Sequence, residues 1–269
     1  MIQTHRRAFL KSAATLAVLA AAGTRRAAAA PAPARFVINV AGALTGQGAR
    51  AWGPLAKEFE KRGFPTTFVQ GIDPNSSFTG NETRAQGIVA ALKDVKEPIV
   101  LIGISNEGGY LPLVAAARPV RRLVYVNACI PQPGKAMIEV ATTESLAVPG
   151  SLLDKLIQGA QPVTDQFLKL RADRHATAAQ WQAFREQIQA SQYASAMKNF
   201  YEVCPLKRLP KVDNVDISGA ADDQIRPEWE QASARRLLKV EPVIIAGASH
   251  ADIVITYATQ VADACVRGL

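Results

Sequence analysis

Cysteine and histidine are scarce in this sequence, and their scarcity argues against several kinds of site. The chain has 269 residues and holds only three of each. The cysteines, Cys129, Cys204 and Cys265, form no Cys-x-x-Cys pair, and the histidines do not cluster. Because structural metal sites need such groupings, we expect no metal and no other cofactor. An odd number of cysteines leaves at least one thiol unpaired, and their mainly apolar or proline-flanked settings predict buried structural cysteines.

Long apolar runs and blocks of like charge are missing too. The apolar run at 13–23 is shorter than the ~20 residues that span a bilayer, so we predict no stable membrane span. The chain has 31 basic and 23 acidic residues. Five of the basic residues and none of the acidic ones lie in residues 1–30, so the remainder has an ordinary excess of three. Without a basic block, we expect no nucleic-acid partner.

The first thirty residues have the pattern of an export signal. A basic segment, Arg6-Arg7-Ala-Phe-Leu-Lys11, precedes the apolar run, and the small residues Ala27–Ala30 follow as a cleavage site. The paired arginines followed by Phe-Leu resemble a twin-arginine signal, although an ordinary secretory signal has a similar layout. We therefore expect recognition by the twin-arginine export machinery, a periplasmic or secreted location, and one mature domain over residues 31–269.

Strand-like and helix-like segments alternate through the mature chain. Short apolar runs such as 35–40, 98–103 and 122–127 alternate with helical patterns, which is typical of a doubly wound, mostly parallel α/β sheet. Residues 134–200 interrupt this rhythm with polar helical segments. We predict that they form a helical insertion that covers a site.

One serine stands where nucleophilic catalysis would need it. Ser105 follows the apolar run that ends at Gly103, in Gly103-Ile-Ser-Asn-Glu-Gly-Gly109. Small residues there allow a sharp strand-to-helix turn that lifts a serine hydroxyl into a pocket. Glu107 stands where the Gly-x-Ser-x-Gly pattern has glycine, so we expect its side chain to crowd the turn.

An acid and a histidine follow in a meaningful order. Asp222 comes after one predicted strand and His250 after the last one. A histidine can activate a serine as a base, and a carboxylate can orient the histidine. Asp223 is adjacent to Asp222 and is an alternative acid, and both could instead serve only to begin the next helix. His175 lies in a polar helical stretch, and we predict that it faces solvent.

These features together resemble the α/β-hydrolase fold superfamily, in its small esterase-like branch. The stretches that carry the resemblance are 103–126, 130–134, 204–210, 217–229 and 248–250. The resemblance implies an α/β-hydrolase fold with Ser105, Asp222 and His250 as a catalytic triad. It also implies an oxyanion hole built from the backbone amides of Asn106 and Ala43. The chain departs from the family at Ala41-Gly42, where His-Gly is common, and at Glu107.

The resulting hypothesis is an exported serine hydrolase that cleaves a small or medium carboxylic ester through an acyl-enzyme. Two alternatives stay open: a catalytically weak or inactive binding protein on the same fold, and a lyase or perhydrolase-like member that uses the same triad. The sequence does not distinguish esters from amides, lactones or thioesters.

Overall fold

A parallel sheet forms the centre of the fold. The computed structural model describes residues 34–39, 50–69 and 80–269. Within them, six strands form one sheet in the order β2-β1-β3-β4-β5-β6, and each neighbouring pair is parallel. The strands are β1 (Arg35–Asn39), β2 (Thr66–Val69), β3 (Ile99–Ser105), β4 (Arg122–Ala128), β5 (Asp213–Gly219) and β6 (Val243–Ile245).

Helices connect successive strands. Outside the region between β4 and β5 they are α1 (Gly53–Lys61), α2 (Asn81–Ala91), α3 (Leu111–Ala117), α8 (Pro227–Ser233) and α9 (Ala258–Val266). A 3₁₀ turn at Asn106–Gly109 precedes α3, and a π-helical turn at Ala234–Leu238 continues α8. This alternation confirms the predicted doubly wound α/β architecture.

The inner strands β1, β3 and β4 bury both of their faces, as their apolar runs predict for a covered parallel sheet. The edge strands β2 and β6 each expose one side chain, Phe68 and Ile244. One face carries Phe36, Ile102 and Val124 into a core that also includes α1 and α9 residues. Phe36 stacks there on Phe59 of α1, with ring centroids 3.9 Å apart. The opposite face carries Leu101 and its neighbours against α2, α3 and the π-helical turn.

Residues 134–200 are mainly helical and have a core of their own, and we call them the helical insertion. Its helices are α4 (Met137–Thr143), α5 (Leu152–Gly159), α6 (Gln161–Ala172) and α7 (Ala178–Ala190). Phe167 and Phe184 pack edge to face with Tyr201, which ends a 3₁₀ segment that follows α7. The chain leaves α7 at Ser191, so the last part of the insertion consists of two separate helical elements.

Candidate active site

The sheet order fixes where a site can form. The chain moves from β1 outward to β2, then crosses to β3 on the other side of β1. In such sheets, ligands bind beyond the carboxyl ends of the strands where the order reverses. Ser105 is the last residue of β3 and therefore lies at this edge.

Ser105 adopts a strained backbone conformation. Its φ is 58° and its ψ is −129°, a region that residues with a side chain rarely occupy and that costs about 1–3 kcal/mol. The chain passes directly from β3 into the 3₁₀ turn, and the amide of Cys129 donates a hydrogen bond to the Ser105 carbonyl at 2.8 Å. Ser105 itself is half-buried. This is the geometry of a sharp strand-to-helix turn that presents a serine hydroxyl.

Glu107 turns into the protein below this turn. Its side chain is fully buried, and its Oε2 accepts a hydrogen bond from the Ile104 amide at 3.0 Å. Burial, reinforced by the nearby Glu107 charge, raises the pKa of Tyr110 well above its usual range. The guanidinium of Arg84 lies 5.7 Å from the Tyr110 ring centroid, so positive charge is close by. Glu107 therefore belongs to a buried polar cluster and supplies an acceptor to the strand that carries Ser105.

Two glycines make room for this arrangement. A Cβ at Gly103 would lie 3.1 Å from the Glu107 Cβ, which is a tight contact. A Cβ at Gly108 would lie 2.3 Å from the carbonyl oxygen of Cys129, which is too close for any side chain. The turn thus needs glycine at 103 and 108. Position 107, where the family pattern Gly-x-Ser-x-Gly has its second glycine, tolerates a side chain that points inward.

Asp222 and His250 form a buried hydrogen-bonded pair. His250 Nδ1 donates to Asp222 Oδ2 at 2.8 Å, and the exposed fractions of the two side chains are 4% and 0%. The other oxygen of Asp222 accepts the amides of Gln224 at 2.7 Å and Ile225 at 2.9 Å. These backbone contacts hold the carboxylate, and the carboxylate in turn selects the imidazole tautomer that carries its proton on Nδ1.

The second ring nitrogen of His250 is available to act as a base. Nε2 is buried and has no hydrogen bond with any described residue, Ser105 included. Catalytic hydrogen bonds are often long before substrate binds. Asp223 is exposed, and among the described residues its side chain accepts a hydrogen bond only from the backbone amide of His250, at 3.4 Å. Of the two candidate acids, Asp222 is therefore the one that contacts the imidazole ring.

A pair of buried acids lies close to both halves of the site. Glu230 Oε1 accepts the Ala128 amide at 2.7 Å. Burial raises the pKa of Glu230 well above its usual range, with a further contribution from Asp216, and burial likewise raises the pKa of Asp216. Burial, with the nearby carboxyls of Glu230 and Asp222, also raises the pKa of the Cys129 thiol. Cys129 therefore stays protonated and is a poor nucleophile.

The remaining predicted residues fall in different places. Asn106 directly follows Ser105 and opens the 3₁₀ turn, where the first amides lack partners within the turn. Ala43 lies outside the described residues. His175 is exposed in the loop after α6, and the three cysteines are buried, as predicted; all three cysteines are unpaired. Among the described residues no cluster of His, Cys, Asp or Glu could hold a metal ion, and no helix is long and apolar enough to cross a membrane.

The helical insertion contacts the loop that carries the acid. The Val148 amide donates to the Gln224 carbonyl, and the Arg226 amide donates to the Leu146 carbonyl, both at 2.9 Å. Ile225, between these two loop residues, is fully buried in the core of the insertion. The insertion is thereby joined to the chain segment that begins two residues after Asp222.

Sequence reasoning missed two residues at this edge, Asn127 and Glu230. Asn127 is a polar residue near the end of an otherwise apolar strand, and this contrast was the available signal. Glu230 gave no comparable signal, because an acidic residue in the first turn of a helix is ordinary.

A sequence model of the alpha/beta hydrolase family matches residues 5–264. Among solved structures, an extracellular α/β-hydrolase from a Paenibacillus species, described as sharing structural and functional homology with tobacco salicylic acid binding protein 2, has a TM-score of 0.53. It is 20% identical, over 87% of this chain and 98% of its own. A pyrethroid hydrolase from Sphingobium faniae JZ-2 has a TM-score of 0.51 at 16% identity, over 88% of this chain and 98% of its own.

A structure described with novel epoxide hydrolases from metagenomes of hot environments has a TM-score of 0.51 at 14% identity, over 88% of this chain and 91% of its own. Identities this low establish a shared fold and leave the chemistry to the site. No curated protein matches the sequence of this chain.

Proposed function

The chain belongs to the α/β hydrolase family, and on this premise we propose that it is an exported serine hydrolase that cleaves a small or medium carboxylic ester. The observation that carries the proposal is the buried hydrogen bond between His250 Nδ1 and Asp222 Oδ2, at the same sheet edge as the strained Ser105 turn. A structural loop histidine would not need its ring nitrogen paired with a buried carboxylate while Nε2 has no partner among the described residues.

In the proposed reaction, Ser105 Oγ attacks the acyl carbon while His250 Nε2 takes its proton. Asp222 stabilises the imidazolium that forms, and the amides of Asn106 and Ala43 hold the developing oxyanion. His250 then gives the proton to the leaving alcohol, which leaves an acyl-enzyme on Ser105. Water activated by the same histidine releases the acid and restores the serine.

The ester class rests on the resemblance of the sequence to the small esterase-like branch of the superfamily, and a pyrethroid hydrolase is among the solved structures that share the fold. The size limit rests on the helical insertion, which is hydrogen-bonded to the acid loop on an apolar side that includes Ile225. We propose that residues 134–200 form a wall of the substrate pocket and set the permitted size of the acyl or alcohol group. A perhydrolase-like reaction would use the same three side chains and would release the acyl group to hydrogen peroxide instead of water, whereas a lyase would use them for proton transfer without forming an acyl-enzyme.

The decisive experiment is covalent labelling with a fluorophosphonate probe, paired with hydrolysis of p-nitrophenyl acetate and butyrate. We expect the wild type to be labelled and to turn over both esters. Ser105→Ala should abolish labelling and lower kcat by several orders of magnitude, as removal of a triad nucleophile does. Ser233→Ala is the matched control, because Ser233 ends α8, outside the helical insertion, and its buried hydroxyl has no hydrogen bond with any described residue, so the variant should behave as wild type.

Each outcome distinguishes the candidates. Labelling of the wild type and of Ser233→Ala, but not of Ser105→Ala, excludes the binding-protein alternative. Absence of labelling in the wild type favours that alternative and overturns the proposal. Labelling without ester turnover points to the lyase or perhydrolase-like chemistry.

Export is proposed from the sequence alone, since residues 1–30 lie outside the described residues. The twin-arginine pattern at Arg6-Arg7 supports delivery to the periplasm or the medium. Sequencing the N-terminus of the exported protein should find it close to Pro31, and a mature chain that still begins at Met1 would contradict the proposal.

A further inference from the structure

Asn127 interrupts the regular pairing of β3 with β4. The register runs evenly from Val100 opposite Arg122 to Ile104 opposite Val126, and then Ser105 pairs with Ala128. Asn127 is the extra residue of this bulge, and its φ is 43°. Bulges next to active sites redirect a side chain out of the regular alternation, and asparagine is among the residues that tolerate this conformation.

The redirected side chain joins two loops. Asn127 Oδ1 accepts the Gly219 amide at 2.6 Å, and Nδ2 donates to the carbonyls of Ser249 at 3.1 Å and His250 at 3.3 Å. The residue is fully buried. One amide group thus bridges the end of β5, which leads to Asp222, and the backbone of the histidine itself, with both its acceptor and its donor in use.

The backbone around the Asn127 side chain is tightly packed. A Cβ at Gly219 would lie 2.5 Å from the Ala248 carbonyl oxygen and 3.2 Å from Asn127 Nδ2. The Ala221 amide donates to that same Ala248 carbonyl at 3.0 Å. The end of β5 and the histidine loop therefore approach as closely as backbone allows, and Asn127 defines the spacing from the β4 side.

We propose that Asn127 is a positioning residue for the hydrolase reaction, which sets the His250 ring relative to Asp222 and to Ser105. The proposal rests on the proposed function. Its physical basis is that the backbone of Asn127 lies one residue from the partner of Ser105, while its side chain holds the carbonyl of His250 and the strand that leads to Asp222. A displacement of about 1 Å in such a constellation costs on the order of 10²-fold in rate.

The variants separate positioning from simple structural support. Asn127→Asp has nearly the same shape and can still accept the Gly219 amide, but a carboxylate cannot donate to the two loop carbonyls. Asn127→Ala loses every contact of the side chain. Asn214→Ala is the control, because Asn214 lies near the start of β5 and donates to a single carbonyl, that of Val212 at 2.8 Å.

We expect both Asn127 variants to lower kcat for p-nitrophenyl butyrate by about 10- to 100-fold, with KM changed less than threefold. The control should keep the wild-type kcat. A second readout needs no turnover: the proton on His250 Nδ1, assigned in the NMR spectrum by its loss in His250→Gln, should shift or broaden in both Asn127 variants and stay unchanged in Asn214→Ala.

The outcomes are distinguishable. A folded Asn127→Asp with wild-type kcat and an unchanged Nδ1 proton overturns the positioning role while the proposed function stands. If Asn127→Ala does not fold, Asn127→Asp decides. If the wild type has no turnover and no fluorophosphonate labelling, the proposed function fails and the positioning role fails with it, even where the Nδ1 proton confirms the contact.

Discussion

The nucleophile turn and the acid–histidine loops are held in place by different means. At the turn, the functional side chain depends on backbone geometry: Ser105 has positive φ, Gly108 packs against the Cys129 carbonyl, and Glu107 accepts the Ile104 amide. In the loops, the functional side chains hold each other, since Asp222 bonds the ring of His250 directly. The first arrangement stores strain in one short segment, and the second spreads its contacts over two loops distant in sequence.

The nucleophile turn and the acid–histidine loops should therefore be sensitive to different kinds of substitution. The turn can fail through small changes in space or in a single backbone acceptor, even when Ser105 itself is intact. The loops fail through loss of a specific contact to the imidazole, to its backbone or to the Asp222 carboxylate. Substitutions on the two sides should therefore differ in how they divide their effects between activity and stability.

The largest effect should come from breaking the side-chain contact in the loops. In Asp222→Asn, Oδ1 can still accept the amides of Gln224 and Ile225, but the new amide nitrogen faces His250 Nδ1 and favours the wrong tautomer. We expect kcat to fall by about 10⁴-fold, the loss seen when an acid of this kind is replaced by its amide. Ester turnover measures the loss of activity, and thermal unfolding measures stability. We expect little change in the melting temperature.

Asp223→Asn is the matched control. Asp223 is exposed, and within the described part of the chain its side chain bonds only the backbone amide of His250, so the kcat of this variant should stay within a few-fold of wild type. A larger loss in Asp223→Asn than in Asp222→Asn would reverse the assignment of the acid.

A smaller effect should follow from changing the acceptor below the turn. Glu107→Gly restores the family's Gly-x-Ser-x-Gly pattern but leaves the buried Ile104 amide without its acceptor. This should lower the free energy of unfolding by about 1–3 kcal/mol. We expect a lower melting temperature. Because the end of β3 that carries Ser105 loses its acceptor, we also expect kcat to fall by about tenfold, which corresponds to about 1.36 kcal/mol in the activation free energy. Glu107→Gln retains a carbonyl oxygen that can accept the same amide, and it should keep most of the activity.

The measurement is thermal unfolding together with ester turnover for the three proteins. If Glu107→Gly is more active than the wild type and equally stable, Glu107 contributes nothing to the turn. In that case its inward orientation reflects only the space that Gly103 provides.

The sequence predicts one half of the site better than the other, and the cause is physical. An apolar run followed by glycines predicts the Ser105 turn, because strand and turn are local properties. We expected the Glu107 side chain to crowd the turn, but it points into the protein. The space that it occupies below the turn comes from Gly103 and from packing, which the local sequence does not reveal. The choice between Asp222 and Asp223 stayed open, since adjacent residues in a loop point in different directions that only the folded loop determines.

The bulge at Asn127 shows the same limit more sharply. Pairing register is a property of two strands together. The sequence of β3 or β4 alone does not predict that Ser105 pairs with Ala128 instead of Asn127. The fold class, by contrast, follows from alternation along the whole chain, so local details such as the break between α7 and the following 3₁₀ segment do not change it.

The buried acids connect the two halves, and their titration predicts the smallest effect. Glu230 bonds the Ala128 amide beside the turn, while Asp216 lies on β5, the strand that leads to the acid loop. Burial raises the pKa of both carboxyls in the folded protein. Between the unfolded and folded pKa values the folded state binds more protons than the unfolded state, so this pair lowers stability as pH rises from about 4 upward.

Asp216→Asn removes one of these protonation sites and leaves Glu230 without its charged neighbour. The melting temperature of the variant should therefore fall less steeply than that of wild type between about pH 5 and 8. Activity at a fixed pH should change little, because neither Asp216 nor Glu230 forms a hydrogen bond with Ser105 or His250 within the described part of the chain. Asp94→Asn, at an exposed acid, is the control and should keep the wild-type slope. If the wild type and Asp216→Asn share the same slope, the pair is not protonated in the folded state, and the link between the two halves is then the Glu230–Ala128 hydrogen bond without any shared titration.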